Sequence, residues 1–296
     1  MWNEIETAIS EASGKPFRIN QRSDIGGGCI NQVMRLDGDP DLDHVSYFIK
    51  LNSASRLAMF AAESGGLQAI IDTGTISAPQ PLCCGTAGGQ AFLVMSLIET
   101  GGSRGNPEQL GRKLAAMHRP KVSQFGWHRD NTIGSTPQHN DFSNDWLEFW
   151  RDQRLGFQYE LAARNGCGER LLSEGEKLME CFGGLFDGYS PQPSLLHGDL
   201  WSGNYSYDSS GTPVIFDPAC YHGDREADIA MTELFGGFPR NFYSAYQEAW
   251  PLDSGYATRK MLYNLYHILN HFNLFGGGYL SQAESMTRQL LSELKN

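Results

Sequence analysis

Two segments near residue 200, LLHGDLWSGN and PVIFD, hold the side chains of this chain that are best suited to chemistry. Asp199 and Asn204 lie in the first segment, and Asp217 ends the second. A carboxylate can accept the proton of an attacking hydroxyl, whereas an amide oxygen and a second carboxylate are ligands that Mg²⁺ prefers. These residue types are the ones that phosphoryl transfer from a nucleotide requires.

The order of these residues resembles the catalytic loop of protein kinases, in which His-x-Asp-x-x-x-x-Asn is followed by a metal-binding Asp. One predicted hairpin, NYSYD-SSGT-PVIF, separates Asn204 from Asp217. The resemblance implies that Asp199 is the base and that Asn204 and Asp217 hold Mg²⁺. Turn chemistry is the alternative for such residues, and the triple spacing argues against it. Pro218-Ala219 follows Asp217 where protein kinases have Phe-Gly, which argues against regulation by the usual activation segment.

Other polar residues near this segment have two interpretations. His197 has no second His or Cys at a zinc-like offset, so we expect it to order the catalytic loop rather than to bind a metal. Asp224, Glu226 or Asp228 would brace that loop through backbone N–H groups, with Arg225 as a pairing partner. The alternative is ordinary surface charge, and the sequence favours neither.

A lysine and a glutamate in the first third of the chain fit the nucleotide side of the same chemistry. Lys50 lies in FIKL, which is similar to the Val-Ala-Ile-Lys strand of kinases, and Glu63 follows on a predicted helix. The resemblance implies that Lys50 contacts the α- and β-phosphates and that Glu63 holds it by an ion pair. An ordinary surface lysine at a strand end is the alternative.

A glycine loop and a strand exit complete the predicted nucleotide site. The loop places three glycines before a cysteine, and their backbone amides are able to approach phosphates, although a flexible turn is the alternative. Its residues are Gly26, Gly27, Gly28 and Cys29. In kinase-like folds, a segment such as MSLIE is the hinge whose backbone binds adenine, which assigns Met95 and Leu97 to the nucleotide. An ordinary strand-to-loop exit is the alternative.

Two aromatic or polar positions are candidates for contact with the second substrate. Trp201 lies inside the catalytic loop, where a ring forms a wall for a sugar or an amine-bearing adduct, or packs on a neighbouring helix. His271 lies on an apolar helix with Tyr263, His267 and Asn270. Polar residues on such a helix indicate a substrate wall or buried hydrogen-bonded packing.

The elements before residue 100 predict a β-rich lobe. A helix over residues 1 to 12 precedes strand, glycine loop and strand, and SYFIKLN is a short strand ending at Lys50. SRLAMFAAESGGLQAII is a helix, and PQPLCCG and QAFLVMSLIE form a hairpin with GTAGG as its turn. The helix has an apolar stripe of Leu57, Phe60, Ala61, Leu67 and Ile71. We place the lobe boundary just before Gly101.

The chain after that boundary is predicted to be mostly helical. LGRKLAAMHR and NDWLEFWRDQRLGFQYELAAR are each a helix, and SEGEKLMECFGGLFDGY is a third helix with Ser173 and Glu176 as a capping box. The catalytic segment and its hairpin follow, and two or three helices close the chain.

Composition narrows the classes of function. The 296 residues carry a net charge of −11 and no Lys/Arg cluster, so no nucleic-acid partner is expected. No apolar run approaches eighteen residues, and the charged N-terminus has no apolar signal region, so we expect a cytoplasmic protein without a membrane partner. The six cysteines include no C-x-x-C pair, which fits a reducing compartment.

Longer blocks make the resemblance specific to one family. LLHGDLWSGN, FDPACYHGDREADIAM, LYHILNHFNLFGGGY, GGGCIN, FIKL, LGRKLAAMHR and FGW resemble the fructosamine kinase (ketosamine-3-kinase) family over nearly the whole chain. The resemblance implies an α+β, bilobal protein-kinase-like fold with ATP in the cleft. Residues 1–99 would form an amino-terminal lobe with a five-stranded antiparallel sheet and one main helix. Residues 100–296 would form a mostly helical catalytic and substrate-binding lobe.

The family also implies an activity. ATP- and Mg²⁺-dependent phosphorylation would occur on the 3-hydroxyl of ketosamines, free or protein-bound, derived from fructosamine, ribulosamine or erythrulosamine. Because a 3-phosphate is a good leaving group, the adduct then breaks down and frees the amine, which is a deglycation repair. The alternatives are an aminoglycoside- or choline-type phosphotransferase and a binding-only pseudokinase. A pseudokinase would be expected to lack Lys50, Asp199 or Asp217, and all three are present.

Cys29 has a second interpretation besides a small residue that fills a turn. Oriented loop amides favour a thiolate as they favour phosphate, so its pKa is expected to be low. An intermolecular disulfide through Cys29 would then alter ATP access, and the chain would be a monomer or a redox-dependent homodimer. The family resemblance supports this interpretation, since some relatives are redox-sensitive at a loop cysteine.

Overall fold

The computed structural model describes residues 1–26, 31–42, 45–100, 105–119 and 122–295. These residues form two compact units, each of which contains two stretches of the chain. The first unit is Met1–Asn106 with Tyr205–Pro218, and the second is Pro107–Asn204 with Ala219–Asn296. The division predicted after residue 99 differs from these units, because the hairpin after the catalytic segment belongs to the first one. Hydrogen bonding explains this, since the amide of Ile215 donates to the carbonyl of Ser77 at 3.0 Å.

The first unit is built on a five-stranded antiparallel sheet. Its strand order is β1-β2-β3-β5-β4, and a separate two-stranded hairpin pairs β9 with β10. The strands are β1 (Ile19–Asp24), β2 (Gln32–Gly38), β3 (Ser46–Ser53), β4 (Pro81–Ala87), β5 (Gln90–Ser96), β9 (Tyr205–Tyr207) and β10 (Pro213–Ile215). Two helices, α1 (Trp2–Ser13) and α2 (Leu57–Asp72), complete this unit together with a 3-10 turn over Ala54–Arg56.

The two helices cover opposite faces of the sheet, which strand periodicity explains. Phe92 and Val94 of β5 share a core with α1, whereas Leu93 and Met95 share a core with Phe60 of α2. Successive side chains point to opposite faces of a strand, so β5 is buried on both faces and its sequence is a continuous apolar run. The same alternation places Lys50 of β3 on the α2 face.

The second unit is mostly helical. Its elements are α3 (Pro107–His118), β6 (Asn131–Ile133), β7 (Thr136–Gln138), α4 (Trp146–Trp150), a π-helical segment (Arg151–Gly156), α5 (Phe157–Arg164), α6 (Glu169–Cys181), a 3-10 helix (Phe182–Phe186), β8 (Pro193–Leu196), β11 (Tyr221–Asp224), α7 (Arg225–Leu234), α8 (Arg240–Ala249), α9 (Tyr256–Phe275) and α10 (Tyr279–Glu293). β8 pairs antiparallel with β11, so the strands that lead into and out of the catalytic segment lie side by side.

Several predicted boundaries in the first unit are wrong in detail. β3 continues past Lys50 to Ser53, and the hairpin turn between β4 and β5 is only Gly88-Gly89. In α2, Ala62 and Ile70 are buried in place of the predicted Ala61 and Ile71. The rotation of α2 about its axis depends on the sheet face that it packs against. The periodicity of the sequence alone does not determine that rotation to within one residue.

Two predictions in the second unit are also wrong. α6 begins at Glu169 after Gly168, so Ser173 lies inside the helix and cannot form the predicted capping box with Glu176. Four helices follow β11 in the described part of the chain, where two or three were predicted. The predicted helix over 144–164 is present, but a π-helical segment interrupts it.

Some predictions lie outside the described residues. Gly27, Gly28 and Cys29 belong to that group, and the redox role of Cys29 therefore stays a prediction. Gly26 is described and lies in a bend after β1. Within the described residues, no helix combines the length and the apolar character needed to cross a membrane.

Candidate active site

An ion cluster of Lys50, Glu63 and Asp217 lies in the first unit. We call it the Lys50 cluster. The Lys50 ammonium donates to Glu63 Oε1 and to Asp217 Oδ1, both at 2.6 Å. The ion pair predicted between Lys50 and Glu63 is therefore present, because β3 turns Lys50 toward α2. The additional bond to Asp217 was not predicted.

Charge and burial are unequal within the Lys50 cluster. The Lys50 side chain is 5% exposed, whereas that of Asp217 is 49% exposed. Burial by itself would lower the pKa of Lys50, but the charges of Glu63 and Asp217 outweigh burial and raise that pKa above its ordinary value. Burial raises the pKa of Glu63, and the Lys50 ammonium opposes this rise. The lysine therefore stays protonated, and Asp217 is the carboxylate that solvent reaches.

The backbone of Asp217 is unusual. Among the described residues, it is the one non-glycine residue with a positive φ, at 59°. Asp tolerates this left-handed region better than most residues, and such strain often marks functional positions. A half-exposed carboxylate on a fixed turn fits a Mg²⁺ ligand, since Mg²⁺ takes one or two protein oxygens and completes its shell with water and phosphate.

The catalytic loop, residues 197–204, lies in the second unit directly after β8. Gly198 has a φ of 80°, and a Cβ on it would lie 2.1 Å from the carbonyl oxygen of Ala219, so only glycine fits there. Asn204 Nδ2 donates to the carbonyl of Asp199 at 2.8 Å and to its Oδ2 at 3.2 Å. The side-chain nitrogen of Asn204 therefore bonds within the loop. Its side-chain oxygen is the atom that suits a cation.

Asp228 of α7 braces this loop from beneath. Its two carboxylate oxygens accept the backbone N–H groups of His197 at 2.7 Å and of Gly198 at 2.8 Å. Burial alone would raise the pKa of Asp228, but the hydrogen bonds from His118 and the loop hold that pKa below its usual value. The acidic segment was predicted either to brace the loop or to be ordinary surface charge, and these hydrogen bonds support bracing. The predicted pairing of Arg225 with that carboxylate is absent from its described contacts, since Arg225 donates to Tyr246 and to two backbone carbonyls.

His197 orders the loop as expected, because its Nδ1 accepts the backbone N–H of Asp199 at 3.3 Å.

The sequence did not identify the residue that supports Asp228. His118 Nε2 lies 3.1 Å from Asp228 Oδ2, and His118 Nδ1 lies 2.9 Å from the hydroxyl of Tyr246. The Asp228 carboxylate can only accept, so the proton of this hydrogen bond lies on His118 Nε2. The available signal was spacing, since Leu110, Leu114 and His118 recur every four residues on one face of α3.

A network of buried amides was also missed. Gln138 Nε2 donates to the carbonyl of Ala219 at 3.1 Å, and Asn131 Nδ2 donates to that of Cys220 at 2.8 Å. Asn140 Nδ2 donates to Asn131 Oδ1 at 3.0 Å, and the buried Arg154 donates to Asn140 Oδ1 at 2.8 Å. These side chains fix the chain directly after Pro218. The alternating pattern NTIGSTPQ, with a glycine turn, was the signal for their hairpin.

The remaining predicted site residues are placed as follows. Met95 is buried on the α2 face of β5, and Leu97 follows the end of that strand. Trp201 is 38% exposed, and His271 is half-buried on α9. Tyr263, His267 and Asn270 are buried, which favours packing over a substrate wall at these three positions. The roles of Gly26, Met95 and Leu97 with the nucleotide stay predictions.

Comparison with known proteins decides the family. The sequence profile of the fructosamine kinase family matches residues 1–293. The chain belongs to the fructosamine kinase family. A probable ketoamine kinase of Synechocystis sp. is 48% identical over 98% of this chain and 97% of its own length. A chloroplastic protein-ribulosamine 3-kinase of Arabidopsis thaliana is 45% identical over 95% of this chain and 86% of its own length.

Solved structures agree with membership of the fructosamine kinase family. A Haemophilus somnus protein assigned as a fructosamine-3-kinase matches with a TM-score of 0.88 and 28% identity over 98% of both chains. An aminoglycoside phosphotransferase matches with a TM-score of 0.61 and 12% identity over 99% of both chains, which shows a shared fold alone. The predicted α+β, protein-kinase-like fold class is therefore confirmed.

Proposed function

We propose that this chain is an ATP- and Mg²⁺-dependent kinase that phosphorylates the 3-hydroxyl of ketosamines. The Lys50 cluster carries the proposal. Burying an ammonium is costly, and two carboxylates, Glu63 and the solvent-exposed Asp217, keep this one charged. That arrangement suits a group that must exchange one carboxylate for phosphate oxygens when a nucleotide binds. The names of the relatives, ketoamine kinase and protein-ribulosamine 3-kinase, supply the substrate class.

Each residue has a separate role in this proposal. Lys50 binds phosphate oxygens while Glu63 keeps it in place. Asp217 and Asn204 supply the oxygen ligands for Mg²⁺, which neutralises phosphate charge when bound. Asp199 orients the acceptor hydroxyl and takes its proton as the oxygen attacks the γ-phosphorus. Asp228 keeps Asp199 in position through the backbone of the catalytic loop.

The product explains why such an enzyme would be useful. Phosphate on the 3-position of a ketosamine is a good leaving group, so the phosphorylated adduct breaks down and releases the free amine. The activity would thus reverse glycation of amines, whether these belong to small molecules or to protein side chains. The Arabidopsis relative is named for protein-bound ribulosamine, which makes ribulosamine the first adduct to try.

The test is a phosphorylation screen of the purified chain with Mg·ATP. Ribulosamine, fructosamine and erythrulosamine adducts of one amine are compared with kanamycin and choline. We expect turnover on at least one ketosamine and a higher kcat/KM there than on kanamycin or choline. Turnover on kanamycin with none on any ketosamine would move the assignment to an aminoglycoside-type enzyme. Stabilisation by Mg·ATP in a thermal melt, without turnover of any acceptor, would indicate a pseudokinase.

A further inference from the structure

Five aromatic side chains of the second unit form a continuous series of ring contacts, which we call the aromatic row. Trp201 lies 6.5 Å from Phe235 between ring centroids, and Phe235 lies 4.7 Å from His271. His271 lies 5.6 Å from Phe275 and 5.1 Å from Tyr279. The rings come from the catalytic loop, the end of α7, and the ends of α9 and α10.

The aromatic row is partly exposed although its rings are large: Trp201 and Phe275 are exposed, and the other three rings are half-buried. Phe275 is 61% exposed and Trp201 is 38% exposed. Glycine turns hold the rings in these places. Gly236 and Gly237 follow Phe235, and Gly276 and Gly277 follow Phe275, all with positive φ. Neighbouring apolar side chains that stay partly exposed on a folded protein are typical of a binding site.

The segments that carry the aromatic row contain no charged residues over long stretches of sequence. Residues 200–207, 234–239 and 261–283 include no Lys, Arg, Asp or Glu. His271 Nδ1 donates to the carbonyl of His267 at 2.8 Å, and burial lowers the pKa of His271, so this ring is neutral at pH 7. A neutral aromatic surface suits hydrocarbon groups and, at ring faces, an ammonium ion. It does not suit a carboxylate.

The aromatic row begins at the catalytic loop itself. The backbone N–H of Trp201 donates to the carbonyl of Asp199 at 3.2 Å, and Asn204 donates back to the carbonyl of Trp201 at 3.0 Å. A Cβ on Gly203 would lie 2.3 Å from the Trp201 ring, so the indole packs directly on that glycine. In a ketosamine, the amine nitrogen is on carbon 1, two carbons from the 3-hydroxyl. A substrate whose hydroxyl meets Asp199 therefore has its amine only a few bonds from the loop that carries Trp201.

We propose that the aromatic row is a subsite for the amine-bearing part of the ketosamine. The secondary ammonium meets the face of Trp201, and hydrocarbon groups on that nitrogen pack along Phe235, His271, Phe275 and Tyr279. The inference rests on the proposed ketosamine kinase function and adds the selection of the amine. Adducts of alkyl and aryl amines are preferred over adducts of amines that carry a carboxylate.

The experiment compares fructosamines, or ribulosamines if those are the better substrates, made from 4-phenylbutylamine, n-octylamine and glycine, because the longer groups are needed to extend from Trp201 along the row. The wild type is expected to show higher kcat/KM for the phenylbutylamine and octylamine adducts than for the glycine adduct. Phe275→Ala should reduce this preference about fivefold, mainly through KM, because one exposed ring contributes a modest contact. Phe142→Ala is the matched control, since Phe142 is 53% exposed in the same unit and lies outside the row.

The measured quantity is the kcat/KM for the alkyl or aryl amine adduct divided by the kcat/KM for the glycine adduct. If this ratio is the same in Phe275→Ala, Phe142→Ala and the wild type, the subsite is overturned and the kinase function stands. If the wild type turns over no ketosamine, the proposed function fails, and binding still tests the row directly. Calorimetric titration with the phenylbutylamine adduct should then show weaker binding to Phe275→Ala than to Phe142→Ala. No binding, or equal binding to both variants, would overturn the subsite. Thermal melts confirm that both variants are folded.

Discussion

The Lys50 cluster and the catalytic loop hold their charged groups by different means. In the cluster, the functional ammonium bonds directly to carboxylates, and one of them, Asp217, is itself a candidate ligand for Mg²⁺. In the loop, Asp199 is positioned mainly through backbone groups, which Asp228 holds from a fully buried position. Asp228, His118 and Tyr246 are buried residues behind the loop, and none of them is assigned to a substrate.

Under the proposed function, this difference predicts which contacts change on binding. The bond between Lys50 and Asp217 competes with the ligands that both residues would take, so it has to be exchangeable. The bonds to Asp228 compete with no ligand and are able to stay formed throughout turnover. Substitutions in the cluster should therefore alter nucleotide affinity, whereas substitutions around the loop should alter kcat.

The largest effect is expected at the base. Asp199→Asn keeps the size of the side chain but cannot accept a proton, so kcat should fall by about 10²–10⁴-fold. ATP affinity should stay close to that of the wild type, because the nucleotide is assigned to the other unit. Steady-state kinetics and equilibrium nucleotide titration measure the two quantities, with the exposed Asp187→Asn as control. Near-normal turnover in Asp199→Asn would show that Asp199 is not the base.

An intermediate effect is expected at the metal ligand. Asp217→Asn retains the left-handed backbone, which Asn tolerates and Ala does not, while it removes the charge. ATP should then lose most of its Mg²⁺-dependent gain in affinity, a weakening of about tenfold or more, which corresponds to about 1.4 kcal/mol. Titration with and without Mg²⁺ measures this gain, and Asp72→Asn, at the end of α2, is the control. If Asp217→Asn binds Mg·ATP as tightly as the wild type, the metal ligand lies elsewhere.

The smallest effect is expected at the most distant support of the loop. Tyr246→Phe removes the hydroxyl that fixes His118 and accepts from Arg225. Because a buried hydrogen-bonding group loses its partner, unfolding free energy should fall by about 1–2 kcal/mol and kcat by a few-fold, with ATP affinity unchanged. Tyr159→Phe is matched in burial, and its hydroxyl contacts Thr287 instead, so it should lose stability without losing kcat. The same kcat in both variants would show that His118 does not position the base.

Local spacing was enough to select the candidate residues. Asp199, Asn204 and Asp217 were selected because one loop and one hairpin separate them, and their roles stay predictions. Lys50 and Glu63 were paired because they follow the order of the strand lysine and helix glutamate of kinases, and that pairing survived small errors in both element boundaries. The segment QAFLVMSLIE was likewise predicted as one strand of a hairpin, and β5 lies there. The family resemblance rested on blocks of the same local kind.

Tertiary structure decided every contact between distant parts of the chain. Sequence could not say whether Asp224, Glu226 or Asp228 braces the loop, because all three lie in the same short acidic segment. The choice of Asp228 depends on its packing against His118, which is 110 residues away. The bond from Lys50 to Asp217 and the reach of Gln138 to Ala219 depend on long-range packing in the same way. Periodicity determines which face of an element is buried, whereas the packing of whole elements determines what that face meets.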